Sequence, residues 1–241
     1  MEVHPQVQKL ITVPQYAQRT PEWYAVRKSM MTASNAAAAL GIKPYASFRG
    51  DARAECIKQI VTGSFKGNKA TQHGVDHEDA VRDRLCAIMG ETALDFGLIV
   101  HPQYPWLGAS PDGITLTGRM IEIKCPMFRP IIPGKVPGHY LPQVQTQMEV
   151  CDLDSCYFCQ WQPAEFTKDG VEIFDIVVVE RDRHWFETHR ETLHSFWEEL
   201  MKARAAYVPP DPPTCLIRDD LYDDLVAHPL FLHEDDDDAV E

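Results

Sequence analysis

Four residues carry the chemistry this sequence could do. Asp112, Glu122 and Lys124 fall within SPDGITLTGRMIEIKCP, Ser110 to Pro126, and Glu78 lies upstream. The run Met120-Ile121-Glu122-Ile123-Lys124-Cys125 alternates with period two, which reads as a strand. Ile121, Ile123 and Cys125 share one face; Met120, Glu122 and Lys124 share the other. An apolar strand with a carboxylate and an ammonium side by side has two explanations. One is an exposed cross-strand ion pair, which contributes little to stability. The other is a site. Two carboxylates brought close repel unless a cation lies between them. Hard divalent ions, Mg²⁺ or Mn²⁺, suit such oxygen ligands, and the lysine beside them would polarise a water or neutralise developing charge. Those are the parts of a metal-dependent hydrolase. This stretch alone does not separate the two.

With Gly118-Arg119 as a two-residue hairpin turn, Thr117 faces Met120, Thr115 faces Glu122 and Gly113 faces Lys124. Asp112 then lies on a diagonal to Lys124 and near Glu122, at about 7–8 Å. Glu78 sits on the face of Val81, Leu85 and Ile88 in a helix expected from about Ala70 to Met89, stopped by Gly90. An unpaired charge on that face is expensive. Glu78 either pairs with a local arginine, Arg82, or is a third carboxylate aimed at the metal. In HYLPQVQTQMEVC, Val144, Met148 and Cys151 form the core stripe of a helix over about 142–151. Gln143 and Gln147 share an adjacent face, which periodicity alone reads as a polar flank.

Other elements must hold these residues in place. Thr20-Pro21-Glu22 starts a helix in which Trp23 and Arg27 share a face. Thr32 or Ser34 then caps an alanine-rich helix ended by Gly41. A helix is expected near 49–62, with strands near 92–100, 105–110, 155–162 and 172–180 and a long helix over about 182–206. Residues 126–142 hold five prolines and read as loop. YVPPDPPT reads as a Pro-rich linker, and HEDDDDAVE as a disordered charge block. The expected organisation is one domain over 1–206, then linker and acidic tail over 207–241.

Composition bounds the partners. The net charge of −13 speaks against a nucleic-acid partner, but residues 219–241 hold ten acids and no Lys or Arg. Without them the charge is −3, and the body has room for a local basic channel. No run approaches the roughly 18 apolar residues of a membrane span, and the N-terminus carries no basic and apolar leader, so an intracellular, non-secreted protein is expected. Seven cysteines, several in apolar runs, fit free thiols in a reducing compartment. Cys151, Cys156 and Cys159 invite a zinc or iron–sulfur reading, but Cys156 and Cys159 fall on opposite faces of a strand. His73 and His77 read as a solvated helix face.

Four segments in one order, WYAVRKSMMTAS (Trp23 to Ser34), HGVDHEDAVR (His73 to Arg82), SPDG…IEIKCP (Ser110 to Pro126) and YLPQVQTQMEV (Tyr140 to Val150), resemble the phage lambda exonuclease (YqaJ-type viral recombinase) family of PD-(D/E)xK nucleases. The resemblance implies an α/β, restriction-endonuclease-like fold, a central mixed β-sheet flanked by helices. It implies Mg²⁺-dependent 5′ to 3′ exonuclease action on one strand of linear duplex DNA, leaving 3′ single strands for recombination. Mn²⁺ would substitute, with two ions per site. A single-strand annealing protein and a homo-oligomeric ring, a trimer by resemblance, would be the partners. Asp112, Glu122, the Ile123 carbonyl and Glu78 would be metal ligands. Lys124 would act on the attacking water, and Gln143 would support the site. Arg27, Thr32 and Ser34 would hold DNA phosphate, Ser34 from a helix N-terminus that favours an anion. Simpler roles for these last residues are an ion pair of Arg27 with Glu22 or Asp51 and a cap by Ser34. The Pro-rich 126–139 loop and the acidic tail depart from the family pattern. An endonuclease or RNA-degrading nuclease on the same fold is the alternative activity. An inactive scaffold is disfavoured because Asp112, Glu122, Lys124 and Glu78 are all intact.

Overall fold

Proline and capping side chains punctuate the chain. The structure is a computed structural model describing residues 2–44, 48–64 and 67–209. It begins with α1 (Pro5–Thr12), which the sequence reading did not anticipate, and α2 (Pro21–Arg27), whose Thr20 cap accepts from the Trp23 N–H. A two-residue β1 (Met31–Thr32), a 3-10 turn (Ala33–Asn35) and a short α3 (Ala36–Ala39) follow. Next come α4 (Ala52–Thr62) and α5 (Lys69–Met89), ended by Gly63 and Gly90 in left-handed conformations. The strands β2 (Ala93–Leu94), β3 (Ile99–Val100), β4 (Leu107–Ala109), β5 (Gly113–Thr115) and β6 (Arg119–Lys124) lead to α6 (Leu141–Cys151). Then β7 (Ser155–Gln162), β8 (Ile173–Glu180) and α7 (Arg183–Ala206) close a compact unit over Met1–Tyr207. The expected acidic tail lies, from residue 210, outside the described residues.

The main sheet has the order β2-β5-β6-β7-β8, with β6 and β7 parallel and the other pairs antiparallel. This is the expected mixed α/β architecture. A smaller sheet, β1-β4-β3, lies beside it. The parallel β6–β7 pair needs a crossover, which the Pro-rich loop and α6 supply. One face of the main sheet, with Ile114, Met120, Cys156 and Phe158, packs on Val144 and Met148 of α6 and on Phe196 and Leu200 of α7. The other, with Ile121, Ile123, Cys125, Tyr157 and Cys159, packs on Val81 and Leu85 of α5. Cys156 and Cys159 thus lie on opposite faces, as the period of two requires. A buried polar cluster also pins the far end of α6. Arg181 pairs with Glu149 at 2.5 Å and Asp152 at 2.8 Å, and His101 Nε2 faces Glu149 at 3.6 Å. Burial works against the Glu149 charge, but His101 and Arg181 outweigh it and hold its carboxyl below the ordinary range.

Four expectations are corrected. The stretch 92–100 is two short strands, with Phe96–Leu98 turning inward between them rather than continuing the ladder. Ile88 ends up 57% exposed, because the α5 face turns away from the sheet beyond Leu85. His73 and His77 are not a solvated face: their rings pack together and against Trp161. The β5–β6 register differs by three residues, with Gly113 opposite Ile121 and Ile114 opposite Met120. The loop has three residues, Leu116 to Gly118, and Gly118 takes φ +91°, a conformation open to glycine. The Gly118 N–H donates to the Thr115 carbonyl at 3.0 Å, and the Arg119 N–H to Thr115 Oγ1 at 3.0 Å.

Phe158 is fully buried at the centre of the α6–α7 face. Phe158→Ala should cost about 3–5 kcal/mol in urea unfolding, from lost transfer energy and the cavity left behind. A loss below about 1 kcal/mol would show that this core is not closely packed.

Candidate active site

The corrected β5–β6 register brings Asp112, just before Gly113, against the Ile121–Ile123 stretch of β6 rather than on a diagonal to Lys124. The Asp112 N–H donates to the Ile121 carbonyl at 3.2 Å, and Asp112 Oδ2 accepts the Ile123 N–H at 2.7 Å. The aspartate is thereby fixed to the strand that carries Glu122 and Lys124.

Glu122 is 1% exposed and faces α6. Lys124 Nζ donates to its Oε1 at 2.5 Å, Gln143 Nε2 to the same oxygen at 2.6 Å, and Gln147 Nε2 to Oε2 at 2.8 Å. Four residues separate the two glutamines, so one face of α6 presents both amides to one carboxylate. The expected polar flank is therefore buried against the strand. Gln147 was missed as a site residue; the signal was its spacing from Gln143, two amides on one helix face after a strand with a buried acid. Gln147 Oε1 is itself buried without a hydrogen-bond partner.

Glu78 reaches the same region from α5. Arg82, its expected partner, pairs instead with Asp79 at 3.2 Å and Asp95 at 2.6 Å. Arg19 holds Glu78, Nη2 to Oε2 at 3.0 Å, from a backbone with φ +66°. Burial pushes the Glu78 carboxyl up; Arg19 opposes this, and Glu122 adds to it. The Asp112 carboxyl rises well above the usual range, first from burial, then from Glu122 and Glu78, against Lys124 and the Ile123 N–H. Burial disfavours the Lys124 ammonium, yet Glu122 and Asp112 outweigh it and hold the lysine charged.

The segment expected to hold phosphate assembles separately. Arg27 lies over the Trp23 ring, Cζ 4.2 Å from the centroid, as their spacing requires. Its Nη2 donates to Thr32 Oγ1 and Ser34 Oγ, both at 3.4 Å. Among the described residues no carboxylate pairs with Arg27, and Asp51 is used to cap α4. Burial lowers the Arg27 pKa, as for a cation short of counter-charge. The helix-terminus role expected of Ser34 is not found. Ser34 lies inside a 3-10 turn, Thr32 is its cap, and α3 has only four residues. The segment offers a guanidinium and two hydroxyls instead of a helix dipole.

The oxygen donors fit a hard divalent ion. Asp112, Glu78 and Glu122 put three carboxyl groups beside Lys124 and Arg19; with all three ionised, one negative charge would be left over for a bound cation. Glu122 and Glu78 lie close enough to Asp112 to raise its pKa, and Glu122 close enough to raise that of Glu78. Among the described residues, however, no three acid, His or Cys side chains converge into a ready-made metal cage.

The profile of the YqaJ-like viral recombinase domain family matches residues 22–154, and the chain belongs to this family. An alkaline exonuclease (LHK-Exo) from Laribacter hongkongensis is similar in structure, with 33% identity, TM-score 0.60, and coverage of 77% of this chain and 95% of that one. Its complex with dAMP matches over the same shares at 30% identity and TM-score 0.61. A phage related exonuclease from Haemophilus somnus shares the fold at 16% identity and TM-score 0.54, covering 72% and 96% of the two chains. The uncharacterized protein R354 of Acanthamoeba polyphaga mimivirus is 28% identical over 172 residues, 64% of this chain and 31% of that protein. The fold is thus that of these exonucleases.

The raised Asp112 carboxyl sets a sign for stability. Ionising it costs more in the folded state than in the unfolded one, so its contribution is full at low pH and lost as pH rises through its raised folded value. Without divalent ions, Asp112→Asn should therefore melt higher than the parent at pH 8, and the difference should vanish by about pH 4, near the unfolded aspartate value. A variant that melts lower at pH 8 would show that Asp112 is stabilised as a charge.

Proposed function

We propose that the chain is a Mg²⁺-dependent exonuclease that degrades one strand of linear duplex DNA from its 5′ end, leaving 3′ single strands for annealing. One observation carries the reading: a buried glutamate held by Lys124, Gln143 and Gln147 near Asp112, with an Arg27 corner that has no acidic partner among the described residues. Family membership and the exonuclease neighbours support it.

In this reading Asp112, Glu122, the Ile123 carbonyl and Glu78 would hold the metal, two ions by the family resemblance. When bound, a divalent ion supplies charge at the phosphate and acidifies water. The chain's own groups do the rest. Gln143 and Gln147 fix the Glu122 rotamer. Lys124 stays protonated beside Glu122, where it orients the attacking water and neutralises charge developing on phosphate. Arg27, Thr32 and Ser34 grip a phosphate through a planar guanidinium and two hydroxyls. That grip sets the register of the strand to be cut. An annealing protein and a ring of copies would complete the system. No described helix is long and apolar enough to cross a membrane.

With end-labelled linear duplex, Mg²⁺ should drive digestion while closed circular DNA survives; rapid cutting of circles or of RNA would move the assignment to the alternative activity. Lys124→Ala and Asp112→Ala should each lower turnover by at least about 10³-fold with the fold intact by circular dichroism. Calorimetry should show weaker Mg²⁺ or Mn²⁺ binding for Asp112→Ala but not for Lys124→Ala. A blunt duplex with 5′-phosphate should be degraded faster than its 5′-hydroxyl form, and Arg27→Ala should shrink that difference. Equal parent rates on both ends would remove the phosphate corner from the mechanism.

A further inference from the structure

Arg19 holds Glu78 from a backbone conformation that arginine rarely adopts. Its φ of +66° lies in the left-handed region, which glycine enters without penalty and other residues do not. Its neighbours fix it there. Gln18 Nε2 donates to the Phe96 carbonyl at 3.1 Å and to the Pro111 carbonyl at 3.0 Å. On the other side, Thr20 Oγ1 donates to the Ala17 carbonyl at 2.8 Å, and Thr20 caps α2. The turn is therefore tied to the residue just before Asp112, and it aims the Arg19 side chain at Glu78. Strain of this kind persists only where the surroundings enforce it, and it gathers at functional sites.

A cavity of about 310 Å³ lies where these groups meet, and Arg19, Glu78 and Asp112 all line it. At about 30 Å³ for each water, it has room for a hydrated divalent ion. Arg82 lines it too but is committed elsewhere. It pairs with Asp79 and Asp95, donates to the Asp112 carbonyl at 3.2 Å, and has a side chain only 17% exposed. The Arg19 side chain is 47% exposed, so it can give up Glu78 for water at little cost. Arg19 occupies Glu78 Oε2, while Lys124, Gln143 and Gln147 occupy both oxygens of Glu122. In this arrangement the three carboxyl groups do not form a cage. A guanidinium and a divalent ion on one carboxylate repel each other, so each weakens the other's hold.

We propose that Arg19 is a built-in counter-cation for Glu78 that a divalent ion must displace, so that this arginine sets the affinity of the ion nearest Glu78. Arg19 is a positioning residue in this scheme. It keeps the Glu78 carboxyl at the cavity before an ion arrives and yields it on binding. The proposal rests on the metal-dependent reading of the site and specifies how one of its ligands is held ready.

The test is calorimetry of Mn²⁺ binding to the full chain without DNA. Arg19→Gln and Arg19→Gly should each tighten binding about fivefold, the upper range for a partly exposed ion pair. Arg19→Lys, which keeps the charge, should stay near the parent. Glycine also removes the backbone strain, so Arg19→Gly should fold at least as stably as the parent. A double-mutant cycle adds Glu78→Gln, and on that background the tightening should largely vanish. Unchanged or weaker binding in Arg19→Gln, with Mn²⁺ still bound by the parent, would overturn the counter-cation role while the metal site stands. Equal tightening with and without the Glu78 carboxylate would overturn it as well, by showing a general field in place of an exchange. No Mn²⁺ binding by the parent or any variant would overturn the metal-dependent reading and this inference with it.

Discussion

A carboxylate that is 1% exposed cannot stay ionised without donors, and Glu122 gathers three. Two of them are amides on α6, so the charge dictates where that helix lies, in register as well as direction. A one-residue slip of α6 would carry both glutamines off the carboxylate. The helix is held at its other end by Glu149, which Arg181 and His101 grip. Between these polar anchors, Val144 and Met148 supply the apolar contact to the sheet. Apolar packing alone would tolerate sliding; the two polar ends do not. The Pro-rich loop before α6 then has a structural task. It must bring the chain back across the sheet so that β7 can pair parallel to β6 with Gln143 already facing Glu122.

The electrostatics follow from crowding. Glu78, Asp112 and Glu122 come from a helix, a loop–strand junction and a strand; Glu122 raises the cost of ionising both Asp112 and Glu78, and Glu78 adds to it at Asp112. Lys124 and Arg19 relieve part of this. Arg19 reaches Glu78 from a left-handed backbone, a conformation that costs a non-glycine residue energy. The remaining negative charge is what a bound divalent ion would balance, and it explains why the proposed ligands are oxygen donors rather than histidines or thiols.

Much of this arrangement was legible in the sequence. The period of two around Glu122 placed Ile121, Ile123 and Cys125 on one face and Glu122 on the other; the first packs on α5 and the second faces α6. The i,i+4 spacing of Trp23 and Arg27 gave their stacking. What failed depended on tertiary choices that local pattern does not encode. The hairpin register turned on a three-residue loop in place of a two-residue one, and an error of three residues misplaced Asp112 along β6. Arg82 was the nearest cation to Glu78 along the helix, but Asp79 and Asp95 compete for it, while Arg19 arrives from 59 residues away. Gln147 looked like a solvent-facing flank because periodicity cannot tell a polar stripe facing water from one facing a buried charge. The Ser34 helix start was read from an alanine run whose high helix propensity did not lengthen α3 beyond four residues.

The phosphate corner and the acidic centre belong to different sheets, and β4 keeps them in register. β1 carries Thr32 and pairs in parallel with β4, Thr32 opposite Gly108. Two residues past Gly108 stands Ser110, whose hydroxyl accepts from Trp23 Nε1 at 3.0 Å, and Asp112 follows two residues later. The path from Arg27 through Trp23 to Ser110 and Asp112 is therefore short and made of an aromatic face, one hydrogen bond and extended backbone. Gly108 permits this closeness: a Cβ there would meet Met30 Sδ at 2.6 Å. A side chain at position 108 would force the Met30 sulfur aside. The spacing between the Arg27 guanidinium and Asp112 is thus set by strand pairing and one side-chain hydrogen bond.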